Sequence, residues 1–108
     1  MSNETETQKK FTAVDSITYA DKSVVSKTIL KKPAGNITLF AFDKGEGLSE
    51  HTTSHEALLL VVDGSAEITI GGNSNNLQAG EAIILPPNIP HSVKAIEKFK
   101  MMLTMIKS

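Results

Sequence analysis

Apolar and polar residues alternate along most of the chain, a pattern that predicts β-strands. The segment SVVSKTIL (residues 23–30) is rich in β-branched residues and is followed by the turn-forming stretch KKPAGN. In NITLFAFD (residues 36–43) both alternating faces are largely apolar, which is typical of a strand buried on both sides. No segment repeats apolar residues at helical spacing over three turns. The pattern therefore predicts an all-β sandwich or barrel from about Val24 to Ile106.

The central part of the chain predicts further strands and the turns between them. ALLLVVDGSAEITI (residues 57–70) is interpreted as two strands joined by a hairpin at Asp63-Gly64, because this dipeptide favours tight turns. GGNSNN (residues 71–76) predicts another turn, and Leu77 begins a short return strand. EAIILPP, HSVKAI and FKMMLTMI predict three more strands, the first of which is stopped by two prolines.

The chain is expected to form one domain preceded by a tail. Residues 1–10 are polar and lack aromatic side chains, so they predict a flexible N-terminal tail. Residues 11–108 are assigned to a single barrel domain, within which residues 11–19 fit either a short strand or a loop. Nothing in the sequence assigns a position to Tyr19.

Composition excludes several classes of function. The net charge of −1 argues against nucleic-acid partners and against binding to anionic membranes. The N-terminus MSNETETQKK has no apolar core of a signal peptide, and no apolar run could span a bilayer, so a cytoplasmic location is expected. The chain has no cysteine, which excludes disulfides and thiolate sites. All 11 basic residues are lysines, and the absence of arginine makes a phosphorylated sugar or dicarboxylate ligand less favoured.

Two longer segments carry a family resemblance. GEGLSEHTTSHEALLLVVDG and GEAIILPPNIPHSVKA, which together span Gly45 to Ala95, resemble the two signature motifs of the small single-domain cupins. The resemblance implies a double-stranded β-helix, a jelly-roll-like barrel. It also implies a metal site inside the barrel, formed by three histidines and one glutamate.

This sequence has only part of that ligand set at the aligned positions. Anchored on Gly64, the two histidine positions of the first motif fall on His51 and Thr53, and the glutamate position falls on Ala57. The histidine of the second motif falls on His91, while its usual glycine falls on Asn88 and its closing asparagine on Ala95. A threonine hydroxyl is a poor ligand for a transition metal and alanine offers none, so the resemblance implies a degenerate site.

Two other residues of the stretch EHTTSHE bear on the site. His55 follows Thr53 by two residues and would share its face if the strand continued that far; otherwise it lies in an exposed turn. Glu56 is one residue from the expected carboxylate position, so it is predicted to lie on the rim and not among the ligands.

Two functions are left open, and no catalytic residue is assigned. The favoured interpretation is a binding or accessory module with a small-molecule pocket lined by His51, Thr53, Ala57, Leu59, Val61 and His91. The alternative is a metal-dependent enzyme of the oxygenase or isomerase type, with Zn, Fe, Ni or Mn held by His51, His55 and His91.

A homodimer is the expected assembly. The segment from Val24 to Leu30 predicts a long, apolar-rich edge strand, and pairing it with a second copy would cover the edge on both chains. Small cupins also commonly pair in this way, so the resemblance implies the same assembly.

Overall fold

The computed structural model describes residues 6–107, which form seven β-strands and one short 3₁₀ helix. The 3₁₀ helix covers Ala13–Asp15, and the strands are β1 (Val24–Lys32), β2 (Gly35–Phe42), β3 (Gly47–His51), β4 (Glu56–Ile70), β5 (Asn73–Gln78), β6 (Ala82–Leu85) and β7 (His91–Ile106). The all-β prediction is confirmed, and the strands extend from Val24 to Ile106, as predicted. Residues 1–5 of the predicted tail and Ser108 lie outside the described residues. Between residues 6 and 107 no helix has the length and apolar character needed to cross a membrane.

Two long strands, β4 and β7, organise the barrel. Residues 56–64 of β4 pair with residues 99–106 of β7, and residues 66–70 pair with residues 91–95. Sheet I, as we term it, consists of β1, β2, β6 and the paired segments 56–64 of β4 and 99–106 of β7. Sheet II consists of β3, β5 and the paired segments 66–70 of β4 and 91–95 of β7. The sheets share β4 and β7, so bending of these strands closes the jelly-roll barrel.

The predicted hairpin at Asp63-Gly64 is wrong, because β4 runs through this dipeptide without reversing. Its register against β7 shifts on either side of Gly64, which marks bulges that bend the strand from sheet I into sheet II. Gly64 has φ of 75°, and a Cβ on this residue would collide with the carbonyl oxygen of Lys98. The glycine thus allows both the bend and the close approach of β7.

Two other boundaries also differ from the prediction. HSVKAI and FKMMLTMI belong to the single strand β7. The turn predicted over residues 71–76 is confined to Gly71 and Gly72, and strand β5 begins at Asn73.

The barrel interior is filled by alternate side chains from both sheets. Phe42 and Phe99 stack with ring centroids 4.4 Å apart at the centre of this core. The other buried members of the cluster are Ala57, Leu59, Val61, Ala66, Ile68, Leu77, Leu85, Val93, Ala95 and Met101. Burying these side chains is the main contribution to the stability of the barrel.

A second apolar cluster lies on the outer face of sheet I, beneath the N-terminal segment. Ile17 packs there with Ile29, Leu39 and Ala41, so both faces of β2 are buried as its sequence predicts. Residues 11–19 contain no strand: they form a loop with the 3₁₀ helix. This loop covers part of the outer face of sheet I.

Polar contacts hold the same N-terminal segment in place. The Tyr19 hydroxyl donates a hydrogen bond to Asp63 Oδ2 at 2.6 Å, and Lys100 Nζ donates one to the Val14 carbonyl at 2.6 Å. Lys100 also lies over the Tyr19 ring, 4.9 Å from its centroid. Burial and the neighbouring Asp63 carboxylate raise the pKa of Tyr19, so its hydroxyl is protonated and able to donate.

Candidate ligand-binding site

The candidate site is a pair of histidines on neighbouring strands of sheet II. His51 is the last residue of β3 and pairs in register with His91, the first residue of β7. Their ring centroids are 4.4 Å apart, and the ring planes are inclined at 67°. Residues far apart in the sequence are therefore brought into direct contact by antiparallel pairing.

Strand alternation and the pairing of β3 with β7 explain why the two imidazoles lie on the same face of sheet II. His91 precedes the buried Val93 and Ala95 by two and four residues on β7, so the three side chains share a face. On β3 the register shifts between Leu48 and His51, and this irregularity places His51 opposite His91.

Each imidazole is oriented by a backbone carbonyl two residues earlier in the chain. His51 Nδ1 lies 2.8 Å from the Ser49 carbonyl oxygen, and His91 Nδ1 lies 3.3 Å from that of Ile89. A carbonyl oxygen only accepts hydrogen bonds, so Nδ1 carries the proton in both contacts. In the neutral rings Nε2 is then a free acceptor, available to a ligand donor or to a metal ion.

The two histidines differ in their exposure to solvent. His91 is 4% exposed, whereas His51 is exposed. Burial lowers the pKa of His91 and the neighbouring His51 lowers it further, against a smaller opposing effect of the Ile89 carbonyl. His91 is therefore neutral at neutral pH. The pair leads from solvent at His51 to the barrel interior at His91.

The loop after His51 is tied to the loop before His91. The Asn88 amide donates to the Thr53 carbonyl at 2.7 Å, and the Thr53 hydroxyl accepts a hydrogen bond from the His55 amide at 3.1 Å. Asn88 has φ of 64°, a left-handed conformation that asparagine tolerates better than most residues. This conformation explains why the related motif usually has glycine at this position.

The other predicted site residues lie at different depths. Ala57, Leu59 and Val61 face the interior, but Leu59 and Val61 have no exposed surface and belong to the packed core. Thr53 lies beyond the end of β3, and its hydroxyl is engaged within the loop. Glu56 is exposed and lies on the opposite face of β4 from Ala57.

His55 is not joined to the pair by any contact in the described part of the chain. Its Nδ1 atom is buried and has no hydrogen-bond partner among residues 6–107. Over the same residues, no group of three or more histidine, cysteine, aspartate or glutamate side chains is arranged to hold a metal ion. The geometry thus brings together His51 and His91 but not the predicted set of three histidines.

The polar cluster at Tyr19, Asp63 and Lys100 was missed by sequence reasoning. Asp63 precedes Gly64 and fits a turn, and Tyr19 lies in a segment without clear periodicity. Their contact joins residues 44 positions apart, and no local pattern signals it.

Comparison with known proteins gives a consistent family match. The model of the Cupin_2 family, described as a cupin domain, matches residues 38–107. A conserved protein of unknown function from Streptococcus pyogenes is 30% identical with a TM-score of 0.92, and the match covers 100% of this chain and 96% of that one. No protein of curated function matches.

Two other solved structures extend the comparison. A cupin 2 conserved barrel domain protein from Leptotrichia buccalis is 36% identical with a TM-score of 0.84, and the match covers 87% of this chain but 46% of that one. A cupin superfamily protein from Desulfitobacterium hafniense is 23% identical with a TM-score of 0.88, covering 99% and 97% of the two chains, and shows the shared fold alone.

Proposed function

Because this chain belongs to the cupin family, we propose that it is a small-molecule-binding module whose ligand enters the barrel beside His51 and His91. The observation that carries this proposal is the contact between the two imidazoles, 4.4 Å apart between centroids at the boundary of solvent and core. Binding sites of this kind combine an apolar surface with a few converging polar groups.

The polar groups define the kind of ligand. Two imidazoles that donate Nδ1–H to backbone carbonyls can present Nε2 as an acceptor, which suits a hydroxyl or amine donor on the ligand. Leu59 and Val61 are fully buried in the packed core, so the proposed ligand lies outside them, beside the two imidazoles. The absence of arginine disfavours phosphorylated ligands. The proposed ligand is therefore a small, neutral, hydroxyl- or amine-bearing compound.

Nuclear magnetic resonance tests this assignment directly. A fragment library of neutral polyols, amines and heterocycles is titrated into ¹⁵N-labelled protein, with the imidazole resonances as reporters. Hits should shift His51 and His91, and His51→Ala should weaken binding by roughly tenfold or more if a direct hydrogen bond is lost in a desolvated site. Thr69→Ala, on the outer face of sheet II, is the matched control. Hits that bind equally well to His51→Ala would contradict the site.

A metal-dependent enzyme of the oxygenase or isomerase type is the second candidate. The observation that favours it is the Nδ1-to-carbonyl contact of both rings, since metal-ligating histidines commonly donate their other ring N–H to such a partner. Two imidazoles fall short of the three protein ligands of catalytic zinc sites, so the described side chains do not fit a complete centre.

Elemental analysis separates the two candidates. Protein purified without chelators or a histidine tag should carry no stoichiometric Zn, Fe, Ni or Mn if it is a binding module. Near-stoichiometric metal that is lost in both His51→Ala and His91→Ala would favour the enzyme.

Restoring the missing ligand types tests whether positions 53 and 57 lie close enough to His51 and His91 to share a metal ion. Thr53→His with Ala57→Glu restores the residue types that the related motif carries at these positions. We expect Ni²⁺ affinity, measured by calorimetric titration, to rise by at least roughly tenfold, because two imidazoles are supplemented by two further ligands. Thr53→Ser with Ala57→Ser is the control and should leave the affinity unchanged. An unchanged affinity in the rebuilt variant would show that these positions do not converge with the pair.

A further inference from the structure

The outer face of sheet I carries a shallow apolar depression at the end where β4 begins. Its volume is about 270 Å³, and it is lined by Leu58, Ile84 and Ile106, together with Ala57 and Glu56. Leu58 is 43% exposed, and Ile84 and Ile106 are each 58% exposed. Large apolar side chains that lie exposed side by side commonly mark a binding site.

The strand register explains how the depression forms. Leu58 of β4 pairs with Ile84 of β6. Glu56, two residues earlier on β4, pairs with Ile106 of β7. Directly paired residues share a face of the sheet, as do residues two apart on one strand, so all four side chains lie on the outer face. Strand β6 ends at Leu85, before two prolines, and has no residue paired with Glu56. The missing neighbour leaves the depression open beside this carboxylate.

Other parts of the barrel surface do not share this apolar exposure. Farther along the outer face of sheet I, Leu39 and Ala41 are fully buried because the N-terminal segment covers them. The outer face of sheet II is polar, and its in-register rows are formed by Asn76, Glu67 and Lys94 and by Ser74, Thr69 and Ser92. Sheet II therefore suits contact with water, whereas the depression is apolar surface left uncovered.

Glu56 places a negative charge at one end of the depression. Its side chain is exposed and forms no ion pair among residues 6–107. Lys32 lies in the same row of the sheet but three strands away, about 14 Å at the usual strand spacing. An unpaired carboxylate beside apolar side chains complements a ligand whose apolar body ends in a cationic group, because a charge-assisted hydrogen bond then adds to the apolar contact.

The volume of the depression sets the size of that ligand. An apolar cavity of about 150 Å³ holds benzene. A depression of about 270 Å³ therefore accommodates one six-membered ring with a short substituent. Glu56 and Leu58 are two residues apart on β4, which corresponds to about 7 Å along the strand. A ring seated on Leu58 and Ile84 can thus extend an ammonium group to the carboxylate of Glu56.

We propose that this depression binds a small cyclic or short aliphatic primary amine, with its apolar body on Leu58, Ile84 and Ile106 and its ammonium group at Glu56. This inference goes beyond the proposed function, since the depression lies on the outer face of sheet I and does not involve the histidine pair of sheet II. Edge pairing of two copies through β1, which stays a prediction, leaves the depression open because β1 and β6 lie at opposite edges of sheet I.

Nuclear magnetic resonance of the full chain with labelled isoleucine and leucine methyl groups tests the proposal. Cyclohexylamine, which is cationic at neutral pH, should shift the methyl resonances of Leu58, Ile84 and Ile106 with a dissociation constant of about 1 mM, as expected of so small a ligand in an open site. Cyclohexanol has the same ring without the charge and should bind roughly threefold more weakly, since an exposed charge pair contributes modestly. Cyclohexanecarboxylate should bind more weakly still, because Glu56 repels it.

Two substitutions with matched controls locate the site. Glu56→Gln should weaken cyclohexylamine binding by roughly threefold and leave cyclohexanol binding unchanged. Glu67→Gln removes a carboxylate from the outer face of sheet II and should change neither. Ile84→Ala should weaken both probes by roughly threefold or more, because apolar contact area is lost. Ile96→Ala alters an isoleucine of β7 that is 42% exposed and lies ten residues before Ile106, and it should have no effect. Circular dichroism and thermal unfolding confirm that each variant is folded.

Three outcomes would overturn the proposal. Methyl groups of the depression that do not respond to cyclohexylamine would show that it is not a binding site. Equal affinity for the amine and the alcohol, or unchanged amine affinity in Glu56→Gln, would show that Glu56 keeps an apolar surface hydrated and does not select a cation. Shifts at His51 and His91 in place of the depression would assign the amine to the histidine pair, which would support the proposed function and remove the second site.

Discussion

His91 is a buried imidazole whose environment disfavours its charged form. With 4% of its surface exposed, it gives up hydration that its protonated ring would need. Burial is the larger cause of the lowered pKa of His91. The imidazole of His51, which contacts it, lowers the pKa further because it can also carry a positive charge. A positive charge on His51 therefore disfavours protonation of His91.

Removal of His51 should raise the pKa of His91. In His51→Ala the charge of the neighbouring ring is absent and water gains access, so both causes of the depressed pKa are weakened. Titration of the imidazole carbon-bound protons by nuclear magnetic resonance measures the shift. His55→Ala, which has no contact with the pair among the described residues, is the control. An unchanged or lower pKa of His91 in His51→Ala would contradict an effect of His51 on His91.

The depressed pKa of His91 predicts the pH dependence of stability. Between the lowered folded pKa and the ordinary value of 6.5, the unfolded chain binds a proton that the folded chain does not. The contribution of His91 to the free energy of unfolding is therefore complete above pH 6.5 and is lost as the pH falls toward the folded pKa. Urea unfolding at several pH values measures this dependence in the wild type.

His91→Gln isolates the effect, because glutamine does not titrate. The variant should lose this part of the pH dependence in the acidic range, whatever its stability at neutral pH. His55→Gln should retain the wild-type dependence. If the free energy of unfolding of His91→Gln depends on pH as in the wild type, groups other than His91 cause the acid sensitivity.

At the scale of single elements, the bend of β4 depends on Gly64. Tight two-residue hairpin turns and some β-bulges both use a residue with positive φ, so the dipeptide Asp63-Gly64 is compatible with either. Which one forms is decided by β7, whose Lys98 carbonyl and Phe99 backbone lie against the glycine and continue the ladder on both sides. That choice depends on a contact between distant segments and is absent from the local sequence.

Gly64→Ala should destabilise the fold strongly. The added Cβ meets the Lys98 carbonyl, a backbone group that cannot move without breaking the pairing of β4 with β7, and the left-handed conformation adds its own strain. We expect a loss on the order of 3 kcal/mol in the free energy of unfolding, from strain plus overpacking. Gly72→Ala is the matched control: its φ is 84°, but nothing lies within 4 Å of the added Cβ. Equal losses in the two variants would show that the contact with β7 is unimportant.

Sequence patterns predicted the interior of the barrel better than its strand boundaries. Alternation placed Ala57, Leu59 and Val61 on one face, and this face is buried in the core. The same alternation cannot tell two strands from one long bent strand, because a bulge changes the phase of the pattern in the same way as a turn. The contact of His51 with His91 also required pairing across 40 residues, which only the motif resemblance indicated.

Across the whole molecule, the N-terminal segment is attached to the barrel by a few contacts over an apolar surface. Ile17 fills the outer cluster of sheet I, while Tyr19 and the Val14 carbonyl are bound by Asp63 and Lys100. Those partners lie in the middle of β4 and β7, so the segment connects the two longest strands from outside the barrel. The sequence does not reveal this attachment, since the Tyr19–Asp63 and Lys100–Val14 hydrogen bonds join residues 44 and 86 positions apart.

Tyr19→Phe should loosen this attachment without altering the barrel. The substitution keeps the ring over Lys100 but removes the 2.6 Å hydrogen bond to Asp63, and it leaves that carboxylate without its donor. We expect a loss of about 1–2 kcal/mol in the free energy of unfolding, in the range for a hydrogen bond to a charged group that is partly exposed. Hydrogen exchange should become faster at the amides of residues 13–19 and stay unchanged in β4 and β7. Phe11→Ala alters an aromatic residue that is 47% exposed and should change neither measurement. Exchange that accelerates equally in the segment and in both long strands would show that Tyr19 supports the barrel as a whole and not only the attachment of the segment.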